Sequence, residues 1–116
     1  MAQIKIREIC PIAMTEEQGL SLRSAMEPLI DAGEPVILDF EGISLFATMF
    51  FNASIGYYVL KKGAAYCSRN IQLANISSLG RETYRHSFAN AKEIKESFGA
   101  QAADSHKIVE ANIEES

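Results

Sequence analysis

The sequence predicts an α/β fold, a sandwich in which helices pack on a mixed β-sheet whose parallel strands are joined by helical crossovers. Short apolar runs alternate along the chain with segments of helical periodicity. The 116 residues are enough for one domain, and 47% of them are hydrophobic, which suffices for a core. Because no repeat or linker divides the chain, we expect a single domain over residues 1–99 and a tail over 100–116.

The first strand and the first helix are indicated by a change of period. Ile4 and Ile6 alternate with polar residues, as in a half-buried strand. Thr15 then begins Thr-Glu-Glu-Gln, a capping box, and apolar residues follow at helical spacing as far as Gly33. Pro28 interrupts this segment, and proline removes a backbone donor and clashes with the preceding turn. We therefore predict a kink or a break at that point.

The middle of the chain reads VILDFEGISLFATMFFNASIGYYVL over residues 36–60 and has no charged side chain after Glu41. Val36–Phe40 predicts a central strand, because it is a short β-branched run that follows a turn. Ala47–Lys62 predicts one buried helix, since about 15 residues without a turn signal are long for a strand. Hydroxyl, amide and glycine residues interrupt the run, which argues against a membrane span of about 20 apolar residues.

The last elements are a strand and an amphipathic helix. Ile71–Ile76 predicts the strand, and an apolar stripe predicts the helix, which ends at Gly99 (Tyr84, Phe88, Ala91, Ile94, Phe98). Within the tail, His106–Ile113 fits a strand, a helix or a frayed end.

Composition and charge exclude several function classes. The net charge is −4 and no basic stripe with aromatic residues is present, so nucleic-acid binding has little support. No secretion signal begins the chain, and Cys10 and Cys67 have no metal or redox spacing. We expect a cytoplasmic protein with two free, half-buried thiols and no membrane association.

In a parallel sheet, the loops beyond the carboxyl ends of the strands carry the functional site, which here means Glu41–Ala47 and Ser77–Gly80. Asp39 and Glu41 point to the same side and could hold a metal or transfer protons. No further metal-ligand residue is near in sequence, so we expect Asp39 instead to accept hydrogen bonds from the N–H groups of the loop. No metal and no cofactor is predicted.

Two further pairs of side chains could take part in catalysis or regulation. Cys67 and His86 could form a nucleophilic dyad, as in a small hydrolase or transferase, but no motif supports the pair and His86 is expected to face solvent. Ser44 and Thr48 precede or begin the buried helix. Either hydroxyl could cap that helix, which we favour, or accept a phosphate as a regulatory switch.

The segment VILDFEGISLFATMFF, followed by IQLANISS and an amphipathic helix, resembles the STAS domains. It is similar in particular to the STAS-like bacterial family of unknown function, over roughly Thr15–Phe98. The related anti-sigma factor antagonists have an Asp-Ser-Ser-Gly stretch at the start of their second helix, where a partner kinase phosphorylates a serine. That stretch falls on Ala47, Thr48, Met49 and Phe50, so Met49 occupies the phosphoserine position and Thr48 is the remaining hydroxyl.

The resemblance implies a non-enzymatic protein-interaction domain in bacterial signalling or regulation, with a protein partner such as an ATPase-kinase or a regulator. The expected partner surface is the loop from Glu41 to Thr48 together with the exposed edge of the second helix, where some of the side chains of Phe46, Met49 and Phe50 would be exposed for a partner or a second copy of the chain. The alternative is a small-ligand or nucleotide-binding module that uses the same end of the sheet.

Overall fold

The computed structural model describes residues 1–104, so the tail segment that fits several structures lies outside the described residues. Three strands and five helices follow one another as β1 (Ala2–Lys5), α1 (Glu16–Asp31), β2 (Val36–Asp39), α2 (Thr48–Ala53), α3 (Ile55–Lys62), α4 (Ala64–Asn70), β3 (Ile71–Ala74) and α5 (Ser78–Asp104). A single 3₁₀ turn, Ile6–Glu8, follows β1. The predicted α/β fold class is confirmed.

The sheet has the order β1-β2-β3, and both strand pairs are parallel. Within residues 1–104 no antiparallel strand joins it, although the sequence suggested a mixed sheet. Parallel crossovers are right-handed, and both crossovers here advance in the same direction, so the helices lie on one face. The burial of the strand residues agrees with helices on one face only. Val36 and Leu38 are fully buried, whereas Gln3, Lys5 and Gln72 on the other face are exposed.

The core lies between this covered face and the helices, and an aromatic cluster is at its centre. Phe40, which follows β2, and Phe50 and Phe51 of α2 are all fully buried. The ring centroids of Phe50 and Phe51 are 5.2 Å apart, and those of Phe40 and Phe51 are 5.9 Å apart. Such tilted and edge-on pairs stabilise the core beyond the apolar area they bury.

The capping box at the start of α1 is confirmed. Thr15 Oγ1 accepts a hydrogen bond from the N–H of Gln18 at 3.1 Å, and Gln18 Oε1 accepts one from the N–H of Thr15 at 3.0 Å. The prediction of a break at Pro28 is wrong, because α1 continues to Asp31. Pro28 is on the exposed side of the last turn, and buried side chains before and after it keep the helix packed (Leu22, Met26, Ile30).

The single helix predicted over Ala47–Lys62 is instead two helices, which meet at Ser54. Ser54 has φ −107° and ψ −89°, and its buried hydroxyl donates to the carbonyl of Phe50 at 2.8 Å. A serine hydroxyl that bonds to the preceding turn offers the backbone an alternative to the helical pattern. The periodicity of apolar residues continues across such a break, which is why the sequence does not reveal it.

The sequence also missed α4 and misplaced the end of α5. Gly63, with φ +100°, ends α3 as expected, but the chain turns there into the seven-residue helix α4. Gly99 does not end α5, which runs on to Asp104. One glycine inside a helix costs only about 1 kcal/mol relative to alanine, and the alanine-rich sequence after it favours a helix.

No helix within residues 1–104 is both long enough and apolar enough to cross a bilayer.

A stability prediction follows for Gly19, at which α1 crosses α2 at close distance. A Cβ at this position would overlap the carbonyl oxygen of Phe50 and lie 2.8 Å from the Cβ of Ala53. Alanine normally favours a helix over glycine, yet we expect Gly19→Ala to lower the free energy of unfolding by about 2 kcal/mol, because α1 and α2 must separate. Urea denaturation measures the change.

The control is Ser24→Ala, at an exposed position of the same helix. It should leave the free energy of unfolding within about 0.5 kcal/mol of the original value. A Gly19→Ala variant as stable as the original chain would show that the crossing tolerates a methyl group.

Candidate functional site

The carboxylate of Asp39, at the end of β2, organises the carboxyl edge of the sheet. Its Oδ1 accepts hydrogen bonds from the N–H of Glu41 at 3.0 Å and from Nδ2 of Asn75 at 2.9 Å. Its Oδ2 accepts one from Nε2 of Gln3 at 3.2 Å. The predicted hydrogen bond to the loop is therefore confirmed, and the same side chain also connects β2 to β1 and to the residue after β3.

These hydrogen bonds favour the ionised form of Asp39. The Asn75 side chain, followed by the Glu41 N–H, holds the pKa of the carboxyl below its usual value. The residue as a whole has only 6% of its surface exposed. Gln3 and Asn75 are not among the site residues that the sequence predicts. A signal was present, since an asparagine directly after a strand is suited to the left-handed backbone, and Asn75 has φ +57°.

The loop after β2 is held to the body of the protein along its whole length. Ile43 is buried, and its N–H donates to the carbonyl of Phe40 at 3.0 Å. Further along, Ala13 donates to the carbonyl of Leu45 at 3.0 Å and accepts from the N–H of Ala47 at 2.9 Å. The segment that leads into α2 therefore has a defined conformation rather than a free one.

Apolar side chains are exposed to solvent at the end of this loop and in the first turns of α2 and α5. Leu45 and Met49 have 51% and 55% of their surfaces exposed, and Leu79 in the first turn of α5 has 60% exposed. Phe46 connects them, because it lies between Leu45 and Met49 in the chain and its ring approaches Gly80, the neighbour of Leu79. We call Leu45, Met49 and Leu79 the loop patch.

The expectation that some of Phe46, Met49 and Phe50 are exposed is confirmed, but for one of the three only. Met49 is exposed as expected, but Phe50 is fully buried. Phe46 is half-buried, and its ring stacks on that of Phe51 with centroids 6.2 Å apart. Phe50 and Phe51 turn inward because α2 lies between α1 and α5, whereas Thr48, Met49 and Asn52 of the same helix are exposed.

The expectation that Ser44 or Thr48 caps α2 is wrong. The N-cap residue is Ala47, in an extended conformation with φ −144°, and no side chain caps the helix. Thr48 is already the first helical residue, and the path of Ser44 is set by the adjoining bridge between Ala13 and Phe46. Both hydroxyls are exposed and make no hydrogen bond within residues 1–104.

A polar cleft of about 320 Å³ lies at the same end of the sheet, on the side away from the helices. It is lined by Lys5, Arg7, Glu8, Asp39 and Glu41. Two cations face three carboxylates there, so the charge of the cleft does not favour a nucleotide or another anion.

A family model for the STAS-like domain of unknown function (DUF4325) matches residues 18–81, more than half of the chain. The chain belongs to this STAS-like family. The matched segment runs from the first turn of α1 to the first turn of α5, so it contains β2, the loop and α2. No curated protein and no solved structure gives a significant match.

In this STAS-like domain, the two residues considered for a nucleophilic dyad differ in burial, since Cys67 is in the core and His86 is at the surface. Cys67 is fully buried, and burial raises the pKa of its thiol to about 11. His86 is exposed as expected, and its Nε2 is 3.4 Å from a carboxylate oxygen of Glu82. Both cysteines are free, as predicted, but Cys10 is also buried rather than half-buried. No group of three metal-ligating side chains occurs within the described part of the chain.

The Asp39 interactions predict a pH-dependent stability. A carboxyl whose pKa is depressed by folding stabilises the protein above its unfolded pKa, and this contribution is lost as the pH falls through the folded value. We expect the urea midpoint of the original chain to fall between about pH 5 and pH 3 by more than that of Asp39→Asn. Denaturation curves at a series of pH values test this.

At pH 7, Asp39→Asn should be the less stable of the two chains, because an amide cannot accept at both of its terminal atoms. Glu41→Gln, in which an exposed carboxylate is replaced, is the control and should follow the original chain over the whole range. Parallel pH profiles for Asp39→Asn and the original chain would contradict this role.

Proposed function

We propose that this STAS-like domain is a non-enzymatic protein-interaction domain of a bacterial signalling or regulatory pathway in the cytoplasm. Its partner, an ATPase-kinase or another regulator, binds the loop patch. The observation that carries the proposal is the exposure of Leu45, on a loop that is hydrogen-bonded to β2 and to Ala13, together with that of Met49 in the first turn of α2 and Leu79 in the first turn of α5.

A loop whose conformation is already fixed by hydrogen bonds favours binding more than a flexible loop does. Ordering a segment on association costs free energy, and hydrogen bonds already made to Asp39 and Ala13 remove most of that cost. Side chains of leucine and methionine then bury apolar area without losing a hydrogen bond, and methionine adapts its shape to the partner. The exposed Glu41 and Ser44 provide a polar rim.

The remaining polar groups support binding rather than catalysis. Both carboxylate oxygens of Asp39 are used by donors within the sheet edge. The Cys67 thiol is in the core with a raised pKa, so little thiolate is present at neutral pH. These groups stabilise the fold, and the exposed side chains of the loop are the apolar Leu45 with the polar Glu41 and Ser44 near it.

The first test of this surface uses Leu45→Asp and Met49→Asp. Each variant introduces a charge that must be desolvated in the complex, so we expect each to weaken partner binding by about tenfold or more. Phe46→Asp is unsuitable, since Phe46 packs on Phe40 and Phe51 and its replacement would unfold the domain. Pull-down from the native lysate identifies the partner, and titration with the purified partner measures affinity.

Ile94→Asp is the matched control, because Ile94 is 45% exposed on α5, away from the loop patch. It should retain the partner. Sedimentation of the pure protein tests whether the patch instead holds a second copy. If Leu45→Asp and Met49→Asp both bind every partner as the original chain does, the loop patch is not the interface.

We also propose that Thr48 is the regulatory phosphoacceptor of this surface. Its hydroxyl is exposed, and it lies directly beside Met49, which stands at the phosphoserine position of the anti-sigma factor antagonists. A phosphate there would place about two negative charges next to an apolar contact and oppose its burial. Phosphorylation would therefore release the partner.

The corresponding experiment compares Thr48→Glu with Thr48→Val. We expect Thr48→Glu to weaken partner binding by about tenfold and Thr48→Val to retain it, because only the first adds charge. Mass spectrometry after incubation with the cognate kinase should locate phosphate on Thr48. An unmodified Thr48, or equal binding of the two variants, would leave the loop patch without this control.

A further inference from the structure

A groove between α4 and α5 is a second surface that the proposed function does not use. It consists of two cavities, of about 640 Å³ and about 340 Å³, which share Ser68, Phe88 and Lys92 in their linings. We call it the α4–α5 groove. Along α5 its lining extends from Tyr84 to Glu96, which corresponds to about 18 Å of helix.

The floor of the groove is apolar and its rim is basic. Tyr84 and Phe88 are half-buried and form the floor, together with alanines of both helices. Three cations and one carboxylate line it: Arg85, Lys92, Lys95 and Glu96. This excess of positive charge is local, because the whole chain has 15 acidic against 11 basic residues.

The cations of the rim are accessible to a ligand. Lys92 makes no ion pair within residues 1–104 and is exposed. Arg85 Nη1 is 3.6 Å from Glu82, in a pair whose side chains are 70% and 60% exposed, and such a pair contributes little. Lys95 Nζ donates to the carbonyl of Leu60 at 3.0 Å, which fixes its position at the end of the groove.

From these features we propose that the α4–α5 groove binds an acidic amphipathic helix of a partner protein. A trough of this length between two helices accommodates about three turns of a docked helix, whose apolar face lies on Phe88 and whose carboxylates meet the rim. A small molecule would stay largely in solvent, since Ala65, Ser68 and Ala89 along the trough are all exposed.

This surface is separate from the loop patch. Leu79 is in the first turn of α5, and Lys92 lies 13 residues further along the helix, about 20 Å away. The domain can therefore hold an acidic helix in the groove while the loop patch contacts another part of the same partner or a different protein.

The test is fluorescence anisotropy with the full chain and a labelled 15-residue helical peptide of leucine and glutamate, with leucines at i, i+3, i+4 and i+7 spacing. A second peptide has lysine in place of every glutamate. We expect saturable binding of the glutamate peptide, about tenfold tighter than that of the lysine peptide. Added salt should weaken it, because the rim charges are exposed.

Lys92→Glu should weaken binding of the glutamate peptide by about tenfold, since a favourable contact becomes a repulsive one. The side chain is exposed, so this variant should fold normally. Arg69→Glu is the matched control, because Arg69 is exposed on α4 but does not line the groove. Equal binding of the two peptides, no saturable binding, or equal losses in Lys92→Glu and Arg69→Glu would each overturn the inference.

Discussion

The whole structure depends on the constraint that both crossovers of a three-stranded parallel sheet advance in the same direction. Right-handed connections then place all of the helices on one face. The segment between β2 and β3 contains three helices, and α2 lies between α1 and α5. Its aromatic side chains Phe50 and Phe51 are therefore fully buried, whereas Thr48, Met49 and Asn52 of the same helix are exposed. The buried positions account for part of the absence of charge over residues 42–60, without any membrane.

The same constraint decides what surrounds Asp39. With the helices on one side, the other face carries polar residues, and Asp39 lies on it among Gln3 and Asn75. The carboxylate thus joins the ends of neighbouring strands and fixes the start of the loop. The conformation of the loop that carries Leu45 is therefore fixed in part by the sheet edge, although Leu45 does not belong to the sheet.

Much of the fold could be predicted from the sequence, because apolar periodicity reports burial directly. The strand Val36–Phe40, the capping box at Thr15 and the order of elements were accessible in this way. The break at Ser54 was not, since both helices continue the same apolar pattern. Pro28 and Gly99 predict helix breaks or ends that do not occur. The local preference of Pro28 against a helix is outweighed by packing, and that of Gly99 by the neighbouring alanines.

Prediction was less complete for the candidate site, where contacts between distant residues decide the geometry. The tether at Asp39 could be expected locally, but its partners Gln3 and Asn75 are each 36 residues away. The α4–α5 groove had no sequence signal, since α4 itself was not predicted.

The exposure of Leu45 and Met49 contrasts with the burial of the other apolar side chains in the same part of the sequence. In the run from Val36 to Leu60, folding accounts for most apolar side chains, because Phe40, Phe50 and Phe51 are fully enclosed. Folding does not account for Leu45 and Met49, which remain half or more exposed in the same run. The domain itself covers about half of each of these side chains, and the other half is in contact with solvent. The proposed partner would cover these exposed parts, which the packing of the domain alone leaves in contact with water.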